Sequence, residues 1–310
     1  MGRTGIRVSR LCFGALTIGP LQANLPLKEG AALIRKALEL GVNFIDTAEL
    51  YRTYPYINLA LRGWPGEVVV ASKSYAYTRR GMAQSLEAAR RGLDRDVVDI
   101  FLLHEQESML TIRGHWEAVE YLLEAKEKGV VRAVGISTHC VSGVTAAARL
   151  PEMDVIHPLV NVAGVGIVGR GVREMLAAIV EAAACGKGIY AMKALGGGNL
   201  IGRREEAFRF ILSVPQITSV AVGMSCPEEV EYNVQLFSGR PVPEELKERT
   251  RLRRRTLHIE NWCRGCGECV KRCPAGALSL VSGRAFVNEE LCLLCGYCGS
   301  VCPDFCIKVI

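Results

Sequence analysis

Eight of the thirteen cysteines in the sequence form two runs near its C-terminal end. Both runs have the spacing C-x2-C-x2-C-x3-C followed by proline: Cys263, Cys266, Cys269 and Cys273, and then Cys292, Cys295, Cys298 and Cys302. Thiolates at such short steps bind soft metals, either zinc or the iron of an iron–sulfur cluster. Zinc ribbons typically use paired C-x2-C knuckles, whereas three cysteines at x2 spacing followed by x3 and Cys-Pro are typical of a cluster. The spacing therefore predicts two iron–sulfur clusters.

The tail, residues 259–310, resembles a bacterial two-[4Fe–4S] ferredoxin domain over its whole length. In such domains the fourth cysteine of each run binds the other cluster. The implied ligand sets are Cys263, Cys266 and Cys269 with Cys302, and Cys292, Cys295 and Cys298 with Cys273. The resemblance implies one-electron transfer at low potential with a redox protein partner; clusters that only hold the tail together are the alternative. About fifty residues are too few for stability from apolar burial alone, so bound metal is expected.

Four polar residues lie near the ends of predicted strands in the N-terminal part of the chain. Asp46 ends "VNFID" and Tyr51 follows it in "DTAELY". Lys73 ends "VVVASK", and His104 ends "DIFLLH". Each alone is more typical of a buried structural group, but the set fits carbonyl reduction. Tyr51 would protonate the carbonyl oxygen with Lys73 stabilising its phenolate, while Asp46 balances the lysine. His104 would orient the carbonyl.

Residues 1–240 alternate apolar strands with amphipathic helices. The strands are "RLCFG", "VNFIDTA", "VVVASKS", "DIFLLH", "RAVGIS", "VIHPLVN", "GIYAMKA" and "SVAVGM", with helical stretches such as "LKEGAALIRKALELG" and "GMAQSLEAARRGLD" between them. Continuous apolar strands separated by helices indicate a parallel sheet buried on both faces. Eight strands favour an α/β fold of the (β/α)8 TIM-barrel type over an open doubly wound sheet, and no G-x-G-x-x-G follows an early strand. In barrels the chemistry lies at the carboxyl ends of the strands, where the four polar residues fall.

The composition changes at Gly239, where "SGRPVP" interrupts the pattern. We predict a barrel over residues 1–240, a charged helical linker over 241–258, and a small ferredoxin-like α+β iron–sulfur domain over 259–310. A linker helix over about 244–257 would rise roughly 20 Å at 1.5 Å per residue. Because barrel helices end at the bottom face, this length would return the chain to the catalytic mouth. The tail is therefore expected beside or over the active site.

At its polar residues the barrel resembles the aldo-keto reductase family. The resemblance runs through "GRTGIRVSRLCFG", "NFIDTAELY", "VVVASK", "FLLH", "VRAVGIS" and "AVGMSCPEEVEYN", and it covers most of residues 1–240. It implies an oxidoreductase with a small carbonyl or alcohol substrate, and NADP(H) or NAD(H) bound in extended form without a Rossmann fold. Ser137 matches the serine that holds the nicotinamide carboxamide, and Asn161 stands where the family usually has glutamine.

The family pattern is altered after the eighth strand. Gly223 and Met224 stand where many members have a Lys-Ser pair, and Glu229 replaces the arginine that grips the 2′-phosphate. A carboxylate there would repel a phosphate, so a strong NADP preference is not expected. Asn233 is retained and can still meet the adenine. NAD, weak binding of either nucleotide and loss of the nicotinamide all remain open. The run "ALGGGN" after strand seven can cradle a pyrophosphate or be a plain flexible loop.

The composition gives little support for nucleic-acid or membrane partners. The net charge is +6, and Arg249, Arg251, Arg253, Arg254 and Arg255 crowd together without the stacking aromatic residues of a nucleic-acid site. A solvated helix face or an acidic protein partner is expected instead. No stretch approaches the roughly 20 apolar residues of a membrane span, and the N-terminus does not read as a signal peptide. Cysteines used as metal ligands then indicate the cytoplasm.

The two parts of the chain handle different numbers of electrons. Nicotinamide transfers a hydride, two electrons together, whereas a cluster passes one. Direct exchange requires a flavin or a substrate that tolerates a radical, and no flavin fingerprint is present, although flavin sites in barrels can leave none. Three hypotheses follow: a reductase whose clusters exchange electrons with an external partner, an electron-transfer protein with a vestigial barrel site, or a nicotinamide reductase with structural clusters.

Overall fold

The computed structural model describes residues 1–251 and 255–310. The larger part of the protein is a closed barrel of eight parallel strands, in which each strand pairs with the next and β1 pairs with β8. The strands are β1 Leu11–Gly14, β2 Phe44–Asp46, β3 Val69–Ser74, β4 Val98–Leu103, β5 Val131–Thr138, β6 Val155–Pro158, β7 Gly188–Met192 and β8 Ser219–Gly223. All eight predicted strands are present, and the (β/α)8 barrel is confirmed.

Side chains of these strands alternate between two apolar layers. Phe44, Ile100 and Tyr190 belong to a small cluster that fills the barrel, while their neighbours Ile45 and Phe101 pack in the larger cluster under the helices. Because both faces are buried, the strands read as continuous apolar runs. The period of two also sets which polar residues point inward at the strand ends.

Helices cover the outside of the barrel. They are α1 Leu27–Glu39, α2 Tyr54–Leu61, α3 Arg79–Leu93, α4 Met109–Gly114, α5 Trp116–Glu127, α6 Val141–Ala148, α7 Val172–Ala184, α8 Arg204–Leu212 and α9 Pro227–Phe237. The sequence analysis does not predict α2, α4 and α6. Helix α6, "VSGVTAAA", has no charged residue and mixes β-branched with small residues, so it lacks the polar face that marks α1 or α3.

After α9 the chain forms α10, Glu244–Arg251. The predicted linker helix over 244–257 is wrong at its C-terminal end, because Leu257 already begins strand β9, Leu257–Ile259. Arg253 and Arg254 of the predicted arginine cluster lie outside the described residues. Arg249 and Arg255 pair with Glu228 and Glu229, respectively. The described basic side chains of the linker are therefore partly used within the protein.

The tail is a small α+β unit. Strand β9 pairs antiparallel with β12, Ile307–Val309, and β10, Leu278–Val281, pairs antiparallel with β11, Arg284–Val287. Short helices α11, Glu268–Arg272, and α12, Tyr297–Ser300, follow the first two cysteines of each run and contain the third. The few apolar side chains between these elements form a small core that includes two of the cysteines. This architecture matches the predicted ferredoxin-like fold.

The tail lies on the carboxyl-end face of the barrel. The Asn199 side-chain amide donates to the Ile307 carbonyl (3.1 Å), and the Val309 amide donates to the Gly197 carbonyl (2.9 Å). Both barrel residues are in the loop after β7. The ring of Phe305 packs against Gly166, which follows β6. The predicted position of the tail at the barrel mouth is confirmed.

Candidate active site and cluster sites

The barrel brings the four candidate catalytic residues together. Asp46 ends β2, Lys73 lies near the end of β3, and His104 directly follows β4. Each is two or four residues after an inward-facing residue of its strand (Phe44, Ala71, Ile100), so all three face the barrel interior. Tyr51 lies in a short 3-10 turn over residues 49–51, above this layer.

Lys73 and Asp46 form a buried ion pair at the bottom of the site. The Lys73 ammonium lies 2.8 Å from both Asp46 carboxylate oxygens and 2.7 Å from the Thr47 carbonyl oxygen. These three bonds use all three donors of the ammonium. The side chains are 1% and 7% exposed, so each charge depends on the other for compensation.

Two residues that sequence reasoning missed support this pair. The Tyr190 hydroxyl donates to Asp46 Oδ1 (2.9 Å), and His157 Nε2 lies 3.7 Å from the same oxygen. The two rings stack with centroids 3.8 Å apart. Burial lowers the pKa of His157 to about 4, so this imidazole is neutral. In the sequence, both residues could have been recognised as polar side chains within apolar strands, His157 in "VIHPLVN" and Tyr190 in "GIYAMKA".

Tyr51 differs from the expectation in its electrostatics. Lys73 Nζ lies 4.9 Å from the centroid of the Tyr51 ring, and its donors are already used. Burial and the charge of Asp46 raise the pKa of Tyr51 well above its usual value. Burial therefore outweighs the effect of the lysine on this pKa, and Tyr51 is held as a neutral phenol. A neutral phenol is the protonated form that can donate to a substrate oxygen.

His104 is also held neutral. Burial and the nearby Lys73 and Lys193 charges lower the pKa of His104 well below its usual value. Its ring lies 5.8 Å from that of Tyr51 and stacks on Tyr75 at 4.3 Å. Its buried Nδ1 has no hydrogen-bond partner among the described residues. A neutral imidazole beside the phenol can orient a carbonyl oxygen but carries no charge of its own.

Two further lysines flank Phe305 at the border of barrel and tail. Lys193, directly after β7, donates to His139 Nε2 (2.9 Å) and lies 4.5 Å from the centroid of the Phe305 ring. Lys308 lies 3.3 Å from that centroid and donates to the Phe305 carbonyl. Burial lowers the pKa of Lys193 to about 8 and that of Lys308 to about 6. Tail and barrel residues that sequence reasoning did not select therefore meet at the mouth.

The two residues predicted to hold a nicotinamide carboxamide are turned into the protein. Ser137 is fully buried, and its hydroxyl accepts the Glu105 amide (2.9 Å). Asn161 is also fully buried: its oxygen accepts the amides of Ala163 and Val165, and its NH2 group donates to the Val165 and Lys193 carbonyls. These bonds use the hydrogen-bonding capacity of the Asn161 amide. The Asn161 amide is therefore not free for a ligand, whereas the Ser137 hydroxyl keeps its own proton to donate.

The residues predicted at the adenosine end do not offer a site either. Met224 is fully buried in the apolar core and Asn233 is 6% exposed, whereas Gly223 is exposed at the end of β8. Glu229 accepts the Ser225 amide (2.8 Å) and pairs with Arg255 (3.0 Å). The carboxylate expected to repel a phosphate is thus neutralised within the chain. The residues present do not fit a dinucleotide as the resemblance implies it.

The eight predicted cysteine ligands surround two cavities in the tail. Cys263, Cys266, Cys269 and Cys302 line the first, and Cys273, Cys292, Cys295 and Cys298 line the second. The cavities enclose about 320 and 330 Å³, part of it open to solvent. This is the crossed grouping that the resemblance implies. Among the described residues, no set of three His, Cys, Asp or Glu side chains is placed to hold a single metal ion. The donor set fits a cluster rather than zinc.

Backbone amides support the fourth cysteine of each run. The Ala277 amide donates to Cys273 Sγ (3.3 Å), and the Cys306 amide donates to Cys302 Sγ (3.2 Å). Such bonds stabilise negative charge on a ligand sulfur and tune the potential of a bound cluster. Burial and Cys302 raise the pKa of Cys306 to about 12. Cys306 lines the first cavity as a thiol, and its amide is the group directed to the ligand sulfur.

The chain belongs to the aldo/keto reductase family, whose model matches residues 10–207. A second model, the 4Fe-4S dicluster domain, matches residues 256–303. The protein is therefore an oxidoreductase of aldo-keto reductase type that carries an iron–sulfur dicluster domain.

Similar proteins cover different shares of the chain. L-galactose dehydrogenase of Arabidopsis thaliana is 25% identical over 76% of this chain and 86% of its own length. A probable voltage-gated potassium channel subunit beta of rice is 28% identical over 52% of this chain, which spans about half (52%) of that relative. A crystal structure of an aldo-keto reductase from Pseudomonas aeruginosa is 28% identical, with a TM-score of 0.66 over 77% of this chain and 92% of its own. Within the described part of the chain, every helix is too short or too polar to cross a bilayer.

Proposed function

We propose that this protein interconverts a small carbonyl compound and its alcohol at Asp46, Tyr51, Lys73 and His104. The observation that supports this most is the convergence of a neutral phenol, a neutral imidazole and a buried ammonium–carboxylate pair at the barrel mouth. An acid, an orienting group and a fixed positive charge are the parts that carbonyl reduction requires.

Tyr51 is the proton donor in this proposal. Its raised pKa keeps the proton on the phenol until a substrate oxygen develops negative charge. The nearby Lys73 ammonium then stabilises the phenolate that remains, and Tyr190 and Lys73 together hold Asp46 in place. His104 donates a hydrogen bond to the same oxygen and fixes the carbonyl relative to Tyr51.

We also propose that the two cysteine sets around the cavities each hold one [4Fe–4S] cluster. Bound clusters supply one-electron transfer. The proposal divides the chain into the barrel at 1–240, the linker at 241–258 and the cluster domain at 259–310, which is compatible with the two family matches. A cytoplasmic location stays a prediction.

Electrons reach the clusters from a redox protein partner. This step is supported by the β10–β11 hairpin, in which Ala285 lines the first cavity and the side chains of Leu280, Val281 and Phe286 are exposed. Exposed apolar side chains of this kind are typical of protein-binding surfaces. The flavin that the electron count allows has no supporting residue, and no step of the proposal uses it.

The experiment is anaerobic reconstitution followed by turnover of a panel of aldehydes and ketones with reduced methyl viologen as electron donor. We expect Tyr51→Phe and Cys302→Ser each to abolish alcohol formation, while Tyr77→Phe and Cys185→Ser, which alter exposed residues outside the sites, retain it. Retention of turnover in Tyr51→Phe would support the electron-transfer protein with a vestigial barrel site. Retention in Cys302→Ser would support purely structural clusters.

A further inference from the structure

We infer that a ribbon of the tail fills the groove in which this family holds its dinucleotide, so that this reductase is driven by one-electron donors and not by nicotinamide. The tail ribbon is the antiparallel pair of β9 and β12 with residues 255, 256 and 310 that continue it. The inference rests on the proposed function, because it names the reductant of the same carbonyl site.

The ribbon covers the glycine run that would otherwise cradle a pyrophosphate. The Val309 amide donates to Gly197, the Asn199 side chain donates to Ile307, and a side chain at Gly198 would collide with the Val309 carbonyl. The backbone amides of Gly196, Asn199, Leu200 and Ile201 donate to carbonyls within the same loop. Most amides of the loop are therefore used within it, and the ribbon backbone lies against the glycine run that would otherwise meet a pyrophosphate.

The other end of the ribbon reaches the predicted adenosine side. The Arg255 guanidinium lies 3.0 Å from Glu229, and both side chains are only 13% and 12% exposed. The next residue, Thr256, exchanges backbone hydrogen bonds with Ile310 (2.9 and 3.0 Å), which fixes the ribbon's start to the C-terminal residue of the chain. The ribbon thus spans from α9 to the loop after β7, and a chain segment lies where the resemblance implies a nucleotide.

Two features oppose nicotinamide at the remaining end. The Asn161 amide is used inside the protein, as described above. Phe305, placed between Lys193 and Lys308, lies at the mouth on the side of the tail. A dinucleotide would have to displace the ribbon, break the Arg255–Glu229 ion pair and refold the Asn161 loop. Each of these changes costs free energy that nucleotide binding must first offset.

The electron and proton count of the reaction then balances without a hydride. The carbonyl takes up two electrons and two protons; the C=O π bond breaks and one C–H and one O–H bond form. Two equivalents of a reduced ferredoxin-type protein are oxidised by one electron each, Tyr51 supplies the proton on oxygen, and solvent supplies the other. Substrates whose one-electron-reduced form is delocalised, such as aryl or conjugated carbonyls, are the class expected.

The test measures nucleotide binding directly on the holoprotein. NADH and NADPH are titrated to ~1 mM, the upper end of ordinary Michaelis constants, with nicotinamide fluorescence as the signal. A nicotinamide-dependent aldo-keto reductase serves as the positive control. We expect no saturable binding, and amide hydrogen exchange of residues 255–259 and 305–310 that does not change with nucleotide. Saturable binding, or faster exchange of the ribbon with nucleotide, would overturn the inference.

A pair of variants tests how the ribbon is held. Arg255→Ala removes the partly buried ion pair and is expected to speed ribbon exchange about tenfold, which corresponds to about 1.4 kcal/mol. Arg249→Ala removes the exposed pair with Glu228 and is expected to leave ribbon exchange unchanged. Equal ribbon exchange in both variants would show that the Arg255–Glu229 ion pair does not hold the ribbon in place. These readouts are separate from viologen-driven turnover. If the protein binds nucleotide and still requires Tyr51 for alcohol formation, this inference is wrong while the proposed function stands.

Discussion

The first cysteine repeat, residues 263–277, and the second, residues 292–306, pass through the same backbone conformations but meet different surroundings. Three positions of the first repeat have positive φ and are all glycine: Gly265 (65°), Gly267 (80°) and Gly276 (61°). Their counterparts in the second repeat are Leu294 (49°), Gly296 (76°) and Phe305 (49°). A left-handed backbone costs a residue with a side chain about 1–2 kcal/mol.

The difference follows the barrel. Gly276 lies at an exposed turn with no neighbour near its side-chain position, whereas Phe305 is 5% exposed between Lys193 and Lys308. The second repeat also has Gly299 where the first has Val270, and the Asn199 side chain occupies the space that a larger residue would need. One repeat is therefore adapted to the barrel and the other to solvent, although both provide the same ligand set.

The largest difference between the two repeats is expected when the equivalent cysteine is removed from each in turn. Cys302→Ser and Cys273→Ser should each lower bound iron from about eight to about four atoms per chain. Only Cys302→Ser should also release the tail from the barrel, because the turn after Cys302 carries Phe305 while the turn after Cys273 carries exposed Gly276. Iron analysis and hydrogen exchange of residues 305–310 measure the two effects. Equal exchange in both variants would mean that the clusters, and not the turn, hold the tail.

A second test changes the two strained residues to the glycine of the first repeat. Phe305→Gly loses a buried ring, at about 3–5 kcal/mol, and regains about 1–2 kcal/mol of backbone strain, so docking of the tail should weaken by about 1–4 kcal/mol. Leu294→Gly relieves the same strain at a half-buried position that packs on the tail's own core. It should leave docking unchanged within about 1 kcal/mol. Hydrogen exchange of the ribbon under denaturant reports both values.

The barrel could be predicted in detail because its signals are local. Strands buried on both faces give unbroken apolar runs such as "DIFLLH", and the polar residue that ends each run marks the catalytic face. The cysteine spacing likewise predicts the eight ligands, whereas their crossed grouping follows from the resemblance to two-cluster ferredoxins. The apolar runs and the spacing depend only on chain geometry over a few residues, so they required no knowledge of the tertiary contacts.

What sequence reasoning missed depends on contacts between distant segments. Tyr190 donates a hydrogen bond to Asp46 across the barrel. Phe305 packs against Lys193, which lies more than one hundred residues earlier in the chain. Asn161 looked like a ligand contact, but its loop uses the amide. The linker was extended as a helix because its charges fit one, whereas pairing with β12 imposes a strand from Leu257. Burial and pairing of this kind override local propensity.

A third test exchanges the small and large residues at one equivalent position. Gly299→Val places a side chain into Asn199 and should weaken docking by about 1–3 kcal/mol, the usual cost of overpacking. Val270→Gly in the first repeat should lower only the local stability of α11, by about 1 kcal/mol. Proteolysis of the linker and exchange of the ribbon distinguish the two. Faster ribbon exchange in Val270→Gly would show that the first repeat also supports docking.

The smallest expected effect is a pH dependence confined to the second repeat. Burial, followed by the charges of Lys193 and Lys308, lowers the pKa of His139 well below its usual value of about 6.5, although Glu105 lies 3.6 Å from its ring and His104 and His157 lie nearby. Undocking removes Phe305 and Lys308 from this histidine, so its pKa rises towards the ordinary value. The undocked state then binds more protons below pH 6.5. The contribution of His139 to docking is therefore at full strength above pH 6.5 and weakens as pH falls below it.

One proton limits the slope to about 1.4 kcal/mol per pH unit, and because undocked His139 is half protonated near pH 6.5, its contribution to docking should fall by about 1 kcal/mol between pH 6.5 and 5.5. Ribbon hydrogen exchange, corrected for the intrinsic pH dependence of amide exchange, measures it. His139→Gln keeps a polar side chain without the titration and should flatten the dependence, whereas exchange in the β10–β11 hairpin should be indifferent to the substitution. A dependence that survives in His139→Gln would assign the protons to another group and would leave the difference between the repeats to packing alone.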